Sequence, residues 1–496
     1  MPKRPNILFI ETDSQDGRLM SCMGHPALRG VTPNFDRLAA RGVLFRQTYS
    51  NNPICCPSRA SMFSGQFTHH CEGWNNYKGL EPGTPTFLTR LDEAGYTTQT
   101  VGKTDYVSGK HTIRARVSPW TRSAKIHRPQ YNMHPPKVED DTETRRYHEG
   151  DWEKVDRAVE FMQQHRDDDN PWLLYVGFGM PHPAFWTNRY WLEKIDPMLV
   201  TVPPKEGEKH PVMQYSVDVK NWTHPMDDES VRLVRRIYYA MIAEVDAMLG
   251  DLLSTLEEQG LEDNTYVIFT SDHGEMNMEH DQFYKMNHYE AAVRVPLMVA
   301  GPDIVGGQVT DHLTSLVDLY PTVMDMVGAD QPDGVDGHSL LPEMTGGGCD
   351  RPDWVLSEFH GTTLCTGSFM YRQGPWKYIA LPGYKPMLFN LDDDPDEMEN
   401  LVDSQPEKAA EMDHALREVV DYEAVDSSVK DYDRRAFAQW RREHLAEGDY
   451  RELMTKIFSG WDRPETLEMT PWTDEDEATI VDWLGEYAAA DDTSSS

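Results

Sequence analysis

The chain reads as an α/β protein, a large and mostly parallel sheet sandwiched by helices, followed by a small antiparallel-sheet subdomain toward the C-terminus. Two observations predict this. Through the first 350 residues short apolar runs alternate with amphipathic stretches, the pattern of strands joined by covering helices. Beyond residue 350 the apolar runs crowd together with turns between them, as in a meander of short strands.

The elements follow in order. Residues 6–10 (NILFI) read as a first strand. Thr32 or Asn34 can cap a helix that carries Phe35, Leu38 and Ala39 on one face. Residues 43–45 form a short strand, and residues 86–94 a helix closed by Gly95, a favourable residue just past a helix end. Strand 97–101, helix 151–164 and strand 172–178 continue the alternation. The clearest helix covers residues 230–258, where Val231, Val234, Tyr238, Met241, Val245, Met248, Leu252 and Leu256 recur every three or four residues. Gly260 closes it, and residues 266–269 form the next strand. In the C-terminal part, residues 354–359, 368–372, 377–380 and 387–390 read as strands. From about residue 430 the chain is charged, with Trp440, Trp461, Trp472 and Trp483 interspersed, and reads as an arm that packs on the body or on another subunit. The resulting division is 1–350, 351–430 and 431–496, with residues 491–496 expected to be disordered.

Composition narrows the function. The 496 residues are 39% hydrophobic and 26% charged, and the longest apolar runs (172–178 and 266–269) are far too short to cross a bilayer. The apolar stretch 7–10 ends at Glu11 and is too short for a secretory signal, which predicts a cytoplasmic protein without a membrane partner. A net charge of −36 repels phosphate backbones and argues against nucleic acid. An anionic small-molecule substrate would need a pocket that is locally basic against this field. Six cysteines (Cys22, Cys55, Cys56, Cys71, Cys349, Cys365), with no C-x-x-C pair, make neither a disulfide framework nor a structural zinc site.

The decisive segment is Asn52-Pro53-Ile54-Cys55-Cys56-Pro57-Ser58-Arg59-Ala60. A helix opening near Ser58 leaves Cys55 at its N-terminal mouth, where backbone N–H groups and Arg59 favour an anion. This segment resembles the signature of the sulfatase family of the alkaline-phosphatase superfamily, in which a maturation enzyme oxidises the first cysteine to formylglycine. The resemblance extends along the chain. It takes in the strand before Asp13, the pair Gly102-Lys103, Pro181-His182-Pro183, Thr270-Ser271-Asp272-His273-Gly274, Lys285 ahead of Glu290, and Trp376-Lys377-Tyr378-Ile379. Residues 14–19, 67–80, 272–290 and 356–361 are similar to a narrower subgroup acting on 2-O-sulfated glucuronate.

The resemblance implies a formylglycine-dependent sulfatase acting on a small anionic sulfated sugar, with the 2-O-sulfate of a uronate from glycosaminoglycan-type oligosaccharides as its substrate. Asp13, Asp272 and His273, with an oxygen of modified Cys55, would hold one divalent cation. Mostly oxygen ligation favours Ca²⁺, with Mg²⁺ and Mn²⁺ as alternatives. Arg59, Lys103, His182 and Lys285 would complete the catalytic set, and Lys285 or His182 would protonate the leaving alkoxide. Asn76 is a candidate for substrate contact or for a turn, and Asp105, His288, Glu358 and His360 are candidates for the substrate rim. Two positions depart from the family pattern: Ser14 replaces a second aspartate after the first strand, and Asp105 replaces a histidine two residues after the first lysine. That histidine is usually assigned to the last step of the cycle, so the base there is Asp105 or His182. Two other functions are compatible with the same residues: a phosphonate monoester or phosphodiester hydrolase, and a non-catalytic sulfosugar-binding protein. The arm could also join two copies of the chain.

Overall fold

A computed structural model describes residues 4–126, 135–139, 144–220, 226–331, 333–459 and 468–488. Trp461 and the tail 491–496 lie outside the described residues. No helix among the described residues is long and apolar enough to cross a membrane.

The apolar runs pair into one eight-stranded sheet. Its order is Thr314–Ser315, Val43–Tyr49, Arg294–Ala300, Thr265–Ser271, Asn6–Thr12, Trp172–Gly177, Thr97–Gly102, with Gln308–Thr310 also pairing to Val43–Tyr49. The pairing of Asn6–Thr12 with both of its neighbours is parallel, and so is that of Thr97–Gly102 with Trp172–Gly177. Only Arg294–Ala300 runs antiparallel to its two neighbours.

The strand side chains alternate between two buried layers. Leu8 and Ile10 face one core with Leu174 and Val176, against the helices Pro33–Arg41, Glu149–Gln164 and Asp228–Glu258. Ile7 and Phe9 face the other with Leu173 and Tyr175, against the helices Cys55–Ser64, Phe87–Glu93 and Leu319–Val327. Both faces are covered, which is why the central strands are apolar throughout instead of alternating with polar residues. The longest helix spans Asp228–Glu258, two residues more at its start than its periodicity predicts, because Asp227 accepts the Ser230 N–H at 2.8 Å as its N-cap. The helix Phe87–Glu93 begins with a capping box between Thr86 and Thr89.

The C-terminal strands Trp354–Phe359, Ser368–Gln373, Trp376–Ala380 and Met387–Asn390 form the expected antiparallel four-stranded sheet. The helix Pro406–Val419 packs on it through Ala409, Met412 and Leu416. Beyond it, one continuous helix, Tyr422–Glu447, runs through residue 430 into the arm. The arm packs on the body: Phe437, Trp440, Tyr450, Met454 and Trp472 share a core with Val117 and Trp120 of the helix Ile113–Trp120.

Candidate active site

Parallel neighbours present their carboxyl ends on one edge of a sheet, and loops there gather ligands. Asp13 follows Asn6–Thr12, Lys103 follows Thr97–Gly102, Asp272 and His273 follow Thr265–Ser271, and His182 lies in the loop after Trp172–Gly177. Cys55 is the first residue of the helix Cys55–Ser64, whose ten residues are all buried. The helix thus begins three residues earlier than Ser58, the start its sequence suggests. One of its unpaired N–H groups, that of Cys56, is satisfied by Asn76 Oδ1 at 3.1 Å.

Around Cys55 four ligand groups converge: the donor atoms of Asp13, Cys55, Asp272 and His273 all lie within 4.8 Å of one another. Cys55 Sγ is 3.2 Å from His273 Nε2 and 3.8 Å from Asp13 Oδ1. His273 Nδ1 lies 3.0 Å from the Gly274 carbonyl, so the proton sits on Nδ1 and Nε2 turns its lone pair to the cluster. Burial pushes this imidazole down to about 4, which keeps it neutral as a ligand must be. Burial alone would raise Asp13, but Lys103 holds its carboxyl well below the usual carboxylate range. Two carboxyl groups and one neutral imidazole in so small a space fit a divalent cation of the hard or borderline kind. Burial, with Asp13 beside it, pushes the Cys55 thiol up to about 11, so the unmodified side chain is protonated at neutral pH and a poor nucleophile.

Arg59 reaches the same place from one turn further along the helix. Its side chain is fully buried; Nε donates to Asp272 Oδ2 at 2.9 Å, and Nη1 to Tyr175 Oη at 2.8 Å and the Lys103 carbonyl at 3.2 Å. Glu11 Oε2 lies 3.1 Å from Nη1. Arg59 therefore ties four strand ends together behind the ligand cluster.

Lys285 and His182 form a second unit. Lys285 Nζ donates to His182 Nε2 at 2.5 Å and to Ser14 Oγ at 3.4 Å, while His182 Nδ1 donates to the Pro183 carbonyl. Burial and Lys285 depress His182 to about 3, so it receives the lysine's proton in this hydrogen bond and carries no charge. Ser14, which stands where the family has a second aspartate, is here a hydrogen-bond partner of Lys285, and its backbone N–H donates to Asp272 Oδ1 at 3.2 Å.

Cys55, Asn76, His182 and Lys285 line a cavity of about 350 Å³. The rest of its wall includes Ile54, Arg114, Ser118, Pro119, Trp186, Lys220, Tyr284, Met286 and Thr363. Among the described residues no carboxylate lines it, so the pocket is locally basic within an acidic protein, as an anionic substrate requires.

Four of the rim candidates stand elsewhere. Asp105 sits behind the cavity wall beside Cys56, its Oδ1 bonded to His111 Nε2 at 2.5 Å and its Oδ2 3.4 Å from Lys103 Nζ. Glu358 points into the protein from its strand and accepts from His69 Nδ1 at 2.7 Å. His288 is buried with Nδ1 2.7 Å from Ser368 Oγ, and His360 is buried with its ring edge-on to Trp74 and Phe369. These three are packing and hydrogen-bonding residues beneath the site, because the inward side of a strand and of its flanking loops holds them there. Conversely, Arg114, Trp186 and Lys220 reach the cavity although sequence reasoning does not single them out. For Lys220 a signal existed: it lies four residues after Ser216, on the buried face of a helix that also carries Val212, Met213, Val217 and Val219.

Comparisons with known proteins show which family the chain is part of. The Sulfatase family model matches residues 5–329, and the model for the C-terminal part of N-sulphoglucosamine sulphohydrolase matches residues 278–424. Arylsulfatase K of Canis lupus familiaris is 40% identical over 472 residues, covering 89% of this chain and 87% of its own. Arylsulfatase K of Homo sapiens is 38% identical over 471 residues with the same two coverages, 89% and 87%. In fold, a phosphonate monoester hydrolase of Agrobacterium radiobacter superposes with a TM-score of 0.69 at 23% identity, over 86% of this chain and 96% of its own. A 2-O GAG sulfatase superposes with a TM-score of 0.66 at 22% identity, over 95% and 99% of the two chains. The chain therefore belongs to the sulfatase family and is a sulfuric ester hydrolase.

Proposed function

We propose that the chain hydrolyses the 2-O-sulfate of a uronate in glycosaminoglycan-derived oligosaccharides, with Cys55 converted to formylglycine. One observation carries this reading: Cys55 stands at a helix N-terminus, between a buried set of metal ligands and a cavity lined by cations. The substrate class rests on the resemblance of residues 14–19, 67–80, 272–290 and 356–361 to the glucuronate 2-sulfatase subgroup.

Asp13, Asp272 and His273, with an oxygen on residue 55, would hold the cation, and this oxygen-rich set favours Ca²⁺. Together the formylglycine and the cation supply a hydroxyl acidic enough to attack sulfur and a second hydroxyl able to release sulfate, which a serine lacks. The remaining work falls to the chain's own side chains. Arg59 fixes Asp272 and keeps the cluster dry. Lys103 and Lys285 bring positive charge to the sulfate oxygens as negative charge grows. Lys285 is the proton donor to the leaving alkoxide, since its ammonium points at His182 Nε2 and His182, depressed to about 3, has no proton on that atom to give. Asp105 does not line the cavity, which leaves His182 as the nearer base for the final step.

The test uses protein produced together with a formylglycine-generating enzyme. Peptide mass spectrometry across Cys55 is expected to show the thiol replaced by an aldehyde. Chelation is expected to abolish turnover of an aryl sulfate, and Ca²⁺ to restore it. Full activity with an intact thiol would sink the covalent mechanism, and faster turnover of an aryl phosphonate than of an aryl sulfate would replace the substrate class.

A further inference from the structure

Lys220 ends the helix Pro211–Lys220 and is 1% exposed, yet it forms part of the cavity wall together with Cys55 and Lys285. Its ammonium donates to the Lys285 carbonyl at 2.7 Å and to Gln282 Oε1 at 3.1 Å. Both acceptors are neutral, and an ammonium has three protons to place. Among the described residues no carboxylate comes within ion-pair distance. Glu275 acts on Lys220 from farther off and is itself buried. Burial, with the Lys285 charge nearby, accordingly pushes the ammonium down to about 7.

A buried charge in that state is costly unless something at the site completes it. The Cys55 end of the cavity already has a cation in Lys285, and Lys103 lies behind it, paired with Asp13. Lys220 and Arg114 add positive charge to a wall whose other surfaces are largely apolar, among them Ile54, Pro119, Trp186 and Met286, and of these two cations Lys220 is the one that shares its acceptors with the Lys285 loop. Such a wall suits a sugar ring carrying two separated negative groups. We propose that Lys220 is the carboxylate-recognition residue of the site, pairing with the uronate carboxylate while the sulfate ester lies against Cys55 and Lys285. This rests on the reading of the site as one for sulfated uronates and names the residue that would choose them over neutral sulfated sugars.

The full-length, formylglycine-bearing enzyme and its Lys220→Gln and Lys220→Arg variants are assayed on three substrates: glucuronate 2-sulfate, glucose 2-sulfate and 4-nitrophenyl sulfate. Glutamine keeps a donor for the two neutral acceptors and removes only the charge. For wild type, glucuronate 2-sulfate is expected to exceed glucose 2-sulfate in kcat/KM by roughly 10–100-fold, the worth of one charge-assisted hydrogen bond in a dry site. Lys220→Gln is expected to erase that preference through KM, leave 4-nitrophenyl sulfate within about threefold, and have the preference partly rescued in Lys220→Arg. An equal loss on all three substrates in both variants would reduce Lys220 to a support for the Lys285 loop and overturn the inference. A glucuronate preference that persists in Lys220→Gln overturns it as well, with the proposed substrate left standing. Wild-type turnover of glucose 2-sulfate without turnover of glucuronate 2-sulfate would overturn the proposed substrate and this inference together.

Discussion

Arg59 carries a full positive charge with no exposed surface, and every one of its partners lies at the carboxyl end of a strand: Asp272, Tyr175, Glu11 and the Lys103 and Thr12 carbonyls. A planar fork with donors in several directions can serve them together; a lysine cannot. Arg59→Lys is expected to lower kcat on an aryl sulfate by about 10²–10³-fold, the range seen when one aligned donor is removed from a charged site. The loss should appear in kcat with KM little changed, because Arg59 lies behind the cluster and not on the cavity wall. Steady-state kinetics would show it, and a pure KM effect would count against this placement.

At the scale of elements, the pair of glycines at two neighbouring strand ends sets where Lys103 sits. Gly102 has φ +89°, and a Cβ there would meet the Gly177 carbonyl oxygen at 2.2 Å. Gly102→Ala is expected to destabilise the fold by about 2–4 kcal/mol and to displace Lys103, which denaturant midpoints and aryl sulfate assays would reveal together. Much of this level was legible in the sequence. The strands at 6–12, 97–102, 172–177 and 265–271 and the helix Asp228–Glu258 follow from apolar runs and a 3.6-residue period. The grouping of Cys55 with Asp13, Asp272, His273, Lys103 and Lys285 follows from motifs placed at strand ends. Less legible were the walls of the cavity. Arg114, Trp186 and Lys220 come from three separate segments, and no local pattern shows that they meet. Glu358, His288 and His360 failed as rim residues for the converse reason: polar type suggests a site, but their inward direction is a property of the folded strand and loops.

For the whole molecule, the arm is joined to the body by a buried polar contact as well as by its apolar core. Asp433, on the helix Tyr422–Glu447, is fully buried beside Arg122, with Arg122 Nε 3.2 Å from its Oδ2. Burial raises this carboxyl from 3.8 to about 7. The folded chain then keeps a proton that the unfolded chain releases near pH 4. The stabilisation from Asp433 is whole below that pH and is lost as the pH rises through about 7. Calorimetry is expected to show the wild-type Tm falling relative to that of Asp433→Asn between about pH 4 and pH 7. Parallel Tm curves for the two proteins would contradict it.

The helix Ile113–Trp120 has one side in the cavity, through Arg114, Ala115, Ser118 and Pro119, and the other in the core it shares with the arm, through Val117 and Trp120. The ligand cluster, by contrast, is anchored entirely in the central sheet and the helix that starts at Cys55. Selectivity and chemistry therefore have separate foundations in this molecule. Changes in the last seventy or so residues, remote from Cys55 along the chain, can re-contour the mouth of the site and retune which sulfate esters enter, while the ligand cluster stays as it was.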